Sequence, residues 1–174
     1  MNLHLQSNDF ELFGLAPRFE IDRAALDERW KLLQREAHPD RFTTADAQAQ
    51  RQAMQWSVRI NEAYQRLKNP LHRAAYLCEL NGSPIGAEVN TAMPADFLMQ
   101  QMQWREELDE ASGLPDLERM ADEVAAMRRS MLQGLQTTAD ERQDWPALAA
   151  QVRALMFVER FASDVENRIE LLGQ

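Results

Sequence analysis

Cysteine is nearly absent from this chain of 174 residues: Cys78 stands alone, so no internal disulfide and no cysteine-clustered zinc site can form. A reducing compartment, most simply the cytoplasm, fits that usage. No uninterrupted apolar run reaches the roughly 18 residues that a membrane-spanning helix needs. The N-terminal stretch carries Asp9 and Glu11 and lacks a basic region followed by an apolar one, so no secretory signal is expected. Histidine is scarce as well. His4, His38 and His72 are remote from one another, and no second ligand pair has helical spacing, which argues against a metal site. No glycine-framed serine or activated cysteine accompanies His38 and Asp40, so a hydrolytic dyad lacks support. A metal-dependent hydrolase built on those two residues ranks far below the binding readings that follow. Strand-like alternation, internal repeats and low-complexity segments are also missing.

What is present is an ordinary globular composition, 45% apolar and 27% charged, with an uneven distribution of charge. Residues 1–80 hold 11 basic and 11 acidic side chains and are neutral; residues 81–174 hold 8 and 17, and so carry the whole net charge of −9. An acidic half without a basic stripe argues against nucleic-acid binding.

The apolar pattern is helical throughout. Asn8 or Asp9 can cap a short helix ending at Gly14. Asp22 suits the N-cap of the next helix, whose apolar positions are Leu26, Trp30, Leu33 and Ala37. A third helix is expected from about Asp46 to Lys68, with Ala49, Ala53, Trp56, Ile60, Ala63 and Leu67 on one stripe. Two matching stripes joined by a short polar loop specify an antiparallel helical hairpin. A fourth, short helix begins at Pro70, a residue favoured in the first turn, and carries Leu71, Ala74, Leu77 and Cys78. The breakers of Asn81-Gly-Ser-Pro-Ile-Gly-Ala87 mark a boundary. That gives a domain over 1–80, a linker over 81–93 and a second domain over 94–174. Helices are expected in the latter at about 94–111, 115–136 and 145–172.

His38-Pro39-Asp40 falls between the two long helices of the hairpin. Proline disfavours the helical conformation of the residue before it, so the helix should stop near His38. The tripeptide then forms an exposed loop that holds an imidazole and a carboxylate on a stiffened backbone. Arg29, Lys31 and Arg35 lie outside the apolar stripe of the preceding helix, and Arg41 follows the loop, giving a local basic face diluted by Asp27, Glu28 and Glu36.

The helix at 94–111 has more apolar surface than a three-helix domain needs. At about 100° per residue, Phe97, Trp104, Leu108 and Ala111 form one compact stripe, while Leu98 and Met102 lie about 100–140° away and Met99 and Glu106 about 180–200° away. The surplus is a candidate exposed patch, and methionine suits an adaptable contact surface. In the last helix Leu148, Val152, Leu155, Val158, Phe161, Ala162, Val165 and Ile169 make the buried stripe. Phe157 lies about 120° from its centre and could join the Leu98/Met99/Met102 set if the two helices pack side by side. Three helices enclosing more surface would bury both sets instead. The remaining aromatics, Trp56 and Tyr64 among them, and Cys78 are read as core.

Taken together, Phe10-Glu-Leu-Phe-Gly-Leu15, His38-Pro-Asp-Arg-Phe42, Ile60-Asn-Glu-Ala-Tyr64 and Asn69-Pro-Leu-His-Arg-Ala-Ala-Tyr76 make residues 9–76 resemble a J-domain. Phe97-Leu-Met99 with Arg105-Glu-Glu-Leu-Asp-Glu110 extends this to the whole chain, which resembles the HscB family of J-type co-chaperones. The resemblance implies an L-shaped, all-α protein: an N-terminal J-domain hairpin and a C-terminal three-helix bundle that binds a client. It implies that His38, Pro39 and Asp40, with Arg29, Lys31, Arg35 and Arg41, face an Hsp70 of the HscA type. It further implies that Leu98, Met99, Met102, Arg105, Glu106 and Phe157 contact the iron–sulfur scaffold protein IscU. No catalysis and no cofactor are implied. A J-type co-chaperone with another client shares every N-terminal feature. Two positions depart from the family pattern: Met102 stands where leucine is familiar, and Gln103 where an acidic residue is familiar. The paired-cysteine metal site that some eukaryotic relatives carry at the N-terminus has no counterpart here.

Overall fold

A computed structural model describes residues 4–38, 40, 46–86 and 95–173. The described residues are helical, without a strand among them: α1 (Asp9–Leu12), α2 (Arg23–Ala37), α3 (Ala47–Lys68), α4 (Pro70–Leu80), α5 (Ala95–Glu110), α6 (Leu114–Gln136) and α7 (Trp145–Leu172). They gather into two compact units, Met1–Leu77 and Cys78–Gln174. The division falls inside α4, three residues before the 81–93 linker expected from the breakers. Cys78 and Ile85 take part in the second unit: the Cys78 thiol points at the Trp145 carbonyl at 3.9 Å, and Arg153 donates to the Ile85 carbonyl at 2.9 Å.

In the first unit the helix starts are set by side-chain caps. Asn8 accepts from the Glu11 backbone N–H while Glu11 reaches back to the Asn8 N–H, a reciprocal capping box that holds a helix of one turn. Asp22 and Asp46 cap α2 and α3 through the N–H groups of Ala25 and Ala49. Asn8 is thus the cap of α1. Asp9 does something the sequence did not suggest: it is fully buried, with its carboxylate 2.7 Å from Arg59 and 3.4 Å from Arg66 of α3. Its backbone N–H donates to the Tyr76 hydroxyl at 2.9 Å, whose phenol is pushed above its ordinary pKa chiefly by burial. Arg73 of α4 is also buried, donating at 2.6 Å to each of the carbonyls of Phe19 and Leu67. Buried charges that lack such partners would be strongly destabilising.

The α2–α3 hairpin has a single register. Tyr64 donates to Asp27 at 2.7 Å, Trp30 to Asn61 at 3.0 Å, Gln34 to Asn61 at 2.7 Å and Ser57 to Gln34 at 3.1 Å. Residue number rises along α2 as it falls by the same step along α3, so the helices are antiparallel. Trp30 stacks on Tyr64 at 4.6 Å between centroids. Leu26 and Leu33 meet a face of α3 formed by Ala53, Ile60, Ala63 and Leu67. Trp30 and Trp56 are half-buried rather than core, and for Trp30 the reason is its indole N–H, which reaches the exposed side of Asn61.

The second unit is an up-down-up bundle. Trp104 of α5 stacks on Phe161 of α7 at 5.0 Å, Arg105 pairs with Asp164, and Arg168 donates to the Leu108 carbonyl at 3.3 Å. These pairs advance together, so α5 and α7 run parallel; α6 connects them and packs along α7, pairing Arg128 with Glu159 at 2.9 Å. The core is Trp104 and Leu108, with Leu117, Met120, Val124 and Leu135 of α6 and seven residues of α7 from Leu148 to Val165. Phe97 and Ala111 are half-buried, and Ala111 lies beyond the end of α5, so the buried stripe of that helix is narrower than its spacing predicts. Ala162 and Ile169 at the edges of the α7 stripe are likewise half-buried. Between α6 and α7 the chain makes a six-residue π-helical turn, Thr137–Arg142, and stops at Gln143 in the left-handed conformation (φ 52°). No apolar spacing or breaker in the sequence announces this turn.

Candidate binding surfaces

The first surface is the end of α2. Proline at position 39 keeps residue 38 out of the helical region, and His38 is extended (φ −62°, ψ 130°). The backbone N–H of Asp40 donates to His38 Nδ1 at 3.2 Å, and the Asp40 carboxylate lies 3.5 Å from the same nitrogen. The Asp40 side chain is 87% exposed, leaving most of its acceptor capacity for a partner. Pro39 and Arg41 lie outside the described residues. Lys31 and Arg35, four residues apart, are exposed on one side of α2, with His38 three residues further on. Lys31 approaches Glu28 at 3.7 Å, whereas among the described residues no carboxylate pairs with Arg35. Arg29 of the same helix is half-buried, nearer to the Leu26/Leu33 stripe than Lys31 and Arg35 are.

The second surface lies along α5 and α7. Leu98 is 45%, Met99 69% and Met102 70% exposed, while Trp104 and Leu108 of the same helix are buried. The surplus apolar set is therefore outside. Phe157, 38% exposed, stands one turn before Phe161 on the parallel helix, level with the turn of α5 between Leu98 and Met102. Arg105 and Glu106 are exposed one turn further along α5. Arg105 is not free: its guanidinium lies 2.7 Å from Asp164 Oδ2 and over the Phe161 ring at 5.4 Å. Arg160 covers the Phe157 ring at 5.5 Å. The sequence reading passes over Asp164 and Arg160, although their spacing of seven and three from Phe157 puts them on its side of the helix. Gln103, at the position that departs from the family pattern, donates to Glu107 at 3.2 Å.

Cys78 is fully buried, and desolvation pushes its thiol pKa up to about 11, so no thiolate is available as a ligand or nucleophile. Among the described residues, no three His, Cys, Asp or Glu side chains gather as they would around a metal ion, and no helix is long and apolar enough to cross a membrane.

Residues 93–166 match the family model described as the HSCB C-terminal oligomerisation domain. The chain is 49% identical to the co-chaperone protein HscB homolog of Bordetella petrii, over 90% of this chain and 92% of that one. It is 46% identical to the homolog of Burkholderia multivorans, over 97% of each. Among solved structures it resembles chaperone HscB from Vibrio cholerae, with a TM-score of 0.82 and 38% identity, covering 95% of this chain and 99% of that one. Human co-chaperone protein HscB superposes with a TM-score of 0.83 at 27% identity, covering 98% of this chain and 84% of that one. A J-domain hairpin joined to a C-terminal helical bundle defines the architecture. The chain belongs to the HscB family of co-chaperones.

Proposed function

We propose that this chain captures an IscU-type scaffold protein on its second unit and delivers it to a cytoplasmic Hsp70 of the HscA type. Presentation of His38-Pro39-Asp40 then stimulates the chaperone's ATPase and promotes transfer of the iron–sulfur cluster to acceptor proteins. The observation that carries the reading is the apolar patch of Leu98, Met99 and Met102, exposed on a helix that already buries Trp104 and Leu108. An apolar set left in water while the same helix has its core contacts is the mark of a partner-binding face.

The two surfaces have different tasks. Asp40 accepts charge-assisted hydrogen bonds from a cationic side chain of the chaperone, and Arg35 with Lys31 speeds encounter with an acidic surface. Neither performs chemistry: the co-chaperone changes which state of its partner is populated, and the partner hydrolyses ATP. On the other unit, Leu98, Met99, Met102 and Phe157 provide contact area for the client, bordered by Arg105 and Glu106.

Steady-state ATP hydrolysis by the HscA-type chaperone tests this, with the chain and IscU added singly and together. The expected result is synergistic stimulation, lost in His38→Gln and again in Leu98→Ala/Met99→Ala. Stimulation that needs His38 but ignores IscU assigns a different client. Absence of any stimulation by the wild type overturns the proposal.

A further inference from the structure

Arg105 is the cation that the family resemblance places in the client surface, yet its charge is already matched within the unit. Asp164 Oδ2 lies 2.7 Å from its Nη1, and the guanidinium also spreads over Phe161. Opposite charges that close together present almost no net field to a partner still several ångströms away. Arg160 is different. Its guanidinium sits over the exposed Phe157 ring at 5.5 Å, and among the described residues no carboxylate pairs with it. The two carboxylates nearest to it along α7 are taken: Asp164 by Arg105, and Glu159 by Arg128 at 2.9 Å.

The surroundings sharpen the contrast. Residues 81–174 carry a formal charge of −9, so a carboxylate approaching this half is repelled except where a cation meets it. An unmatched guanidinium beside the apolar patch fixes both where an acidic group can land and which way round its owner sits. We infer that Arg160 is a specificity-determining contact of the client surface, receiving a carboxylate that lies next to the apolar side chains seated on Phe157 and Leu98. Arg105 with Asp164 is a positioning brace that holds α5 against α7 and so keeps the two halves of the patch together. This assignment rests on the client-binding role proposed above and adds to it the chemistry of the matching site: an apolar segment flanked by Asp or Glu.

The test measures association and dissociation rates of the full chain with the IscU-type scaffold protein at low and high salt. Arg160→Gln is expected to slow association about fivefold at low salt, with a flatter salt dependence and a nearly unchanged dissociation rate, and Arg160→Lys to restore most of the loss. Asp164→Asn acts in the opposite sense. By releasing the charge of Arg105 it speeds association about twofold and steepens the salt dependence, while loss of the brace also speeds dissociation and lowers melting by about 2–4 °C. Wild-type rates and salt dependence in Arg160→Gln, with binding still weakened by Leu98→Ala/Met102→Ala, overturn the assignment and leave the client reading intact. So does an Arg105→Gln variant that reproduces the Arg160→Gln behaviour. A wild-type chain that does not bind the scaffold protein overturns the client reading itself.

Discussion

The two units of this protein hide and display opposite things. The first (residues 1–77) holds 11 basic and 10 acidic side chains, a net charge of only +1, and places charge inside: Asp9 is fully buried between Arg59 and Arg66, and Arg73 is buried against two carbonyls. What it displays at the end of α2 is polar. The second (residues 78–174) holds 8 basic and 18 acidic side chains, a net charge of −10, over a mostly apolar core, yet leaves Leu98, Met99 and Met102 in water. A small hairpin with a thin core gains rigidity from directional polar links, which keep a polar tip in one place. A three-helix bundle has core to spare and can leave part of an apolar helix uncovered. The distribution of polarity thus follows what each unit must hold out to a partner.

Breaking each unit at its own kind of contact should separate them most strongly. Asp9→Ala leaves two arginines without their buried partner and is expected to destabilise the first unit by about 3–5 kcal/mol. Trp104→Ala removes the ring that stacks on Phe161 and should cost the second unit about 3–5 kcal/mol. Urea unfolding followed by hydrogen exchange resolves which helices lose protection. Protection lost equally from α2–α3 and α6–α7 in both variants would contradict the independence of the two cores. Next in size is the displayed patch. Met99→Ala/Met102→Ala should change unfolding free energy by no more than about 0.5 kcal/mol, because neither side chain is buried, while client affinity falls about tenfold or more. A smaller effect is expected at Gln143, whose left-handed backbone disfavours any side chain: Gln143→Gly should raise the stability of the second unit by up to about 1 kcal/mol, read by thermal melting.

The smallest concerns pH. Asp27 is held below the ordinary carboxylate pKa by the hydrogen bond from Tyr64 and, next, by Arg23. A depressed folded-state value means that its contribution is fully present above the unfolded pKa of about 4 and is lost as pH falls through the folded one. Tyr64→Phe should therefore melt below wild type at about pH 6, with the gap narrowing toward about pH 3. A gap that does not narrow would assign the effect of Tyr64 to packing alone.

Helix limits were largely legible because the punctuation is chemical and local. Pro146 suits the first turn of a helix, and α7 spans Trp145–Leu172, the range expected from the sequence; its cap, Asp144, is seen only in the structure. α6, expected at about 115–136, spans Leu114–Gln136. The exposed patch was legible too, as a helix with one apolar face too many. What escaped the sequence are relations between residues far apart in it. Asp9 looks like a helix cap until α3 brings two arginines to it, 50 and 57 positions later. Asp164 looks like surface until α5 presents Arg105. The π-helical turn escaped for another reason: Thr137 and Thr138 have no strong helical preference, and it is the burial of Thr138 and Ala139 that decides their conformation.

The polar ladder between α2 and α3 has a mechanical consequence. Two helices held by apolar ridges alone can shift by one turn, about 5.4 Å, and find nearly equivalent packing. Here such a slip would break the bonds from Trp30 and Gln34 to Asn61 together with that from Ser57 to Gln34. The hairpin is thus a keyed shaft: it can be tilted as a whole, but a pull or push applied at its tip travels down its length without being lost to sliding.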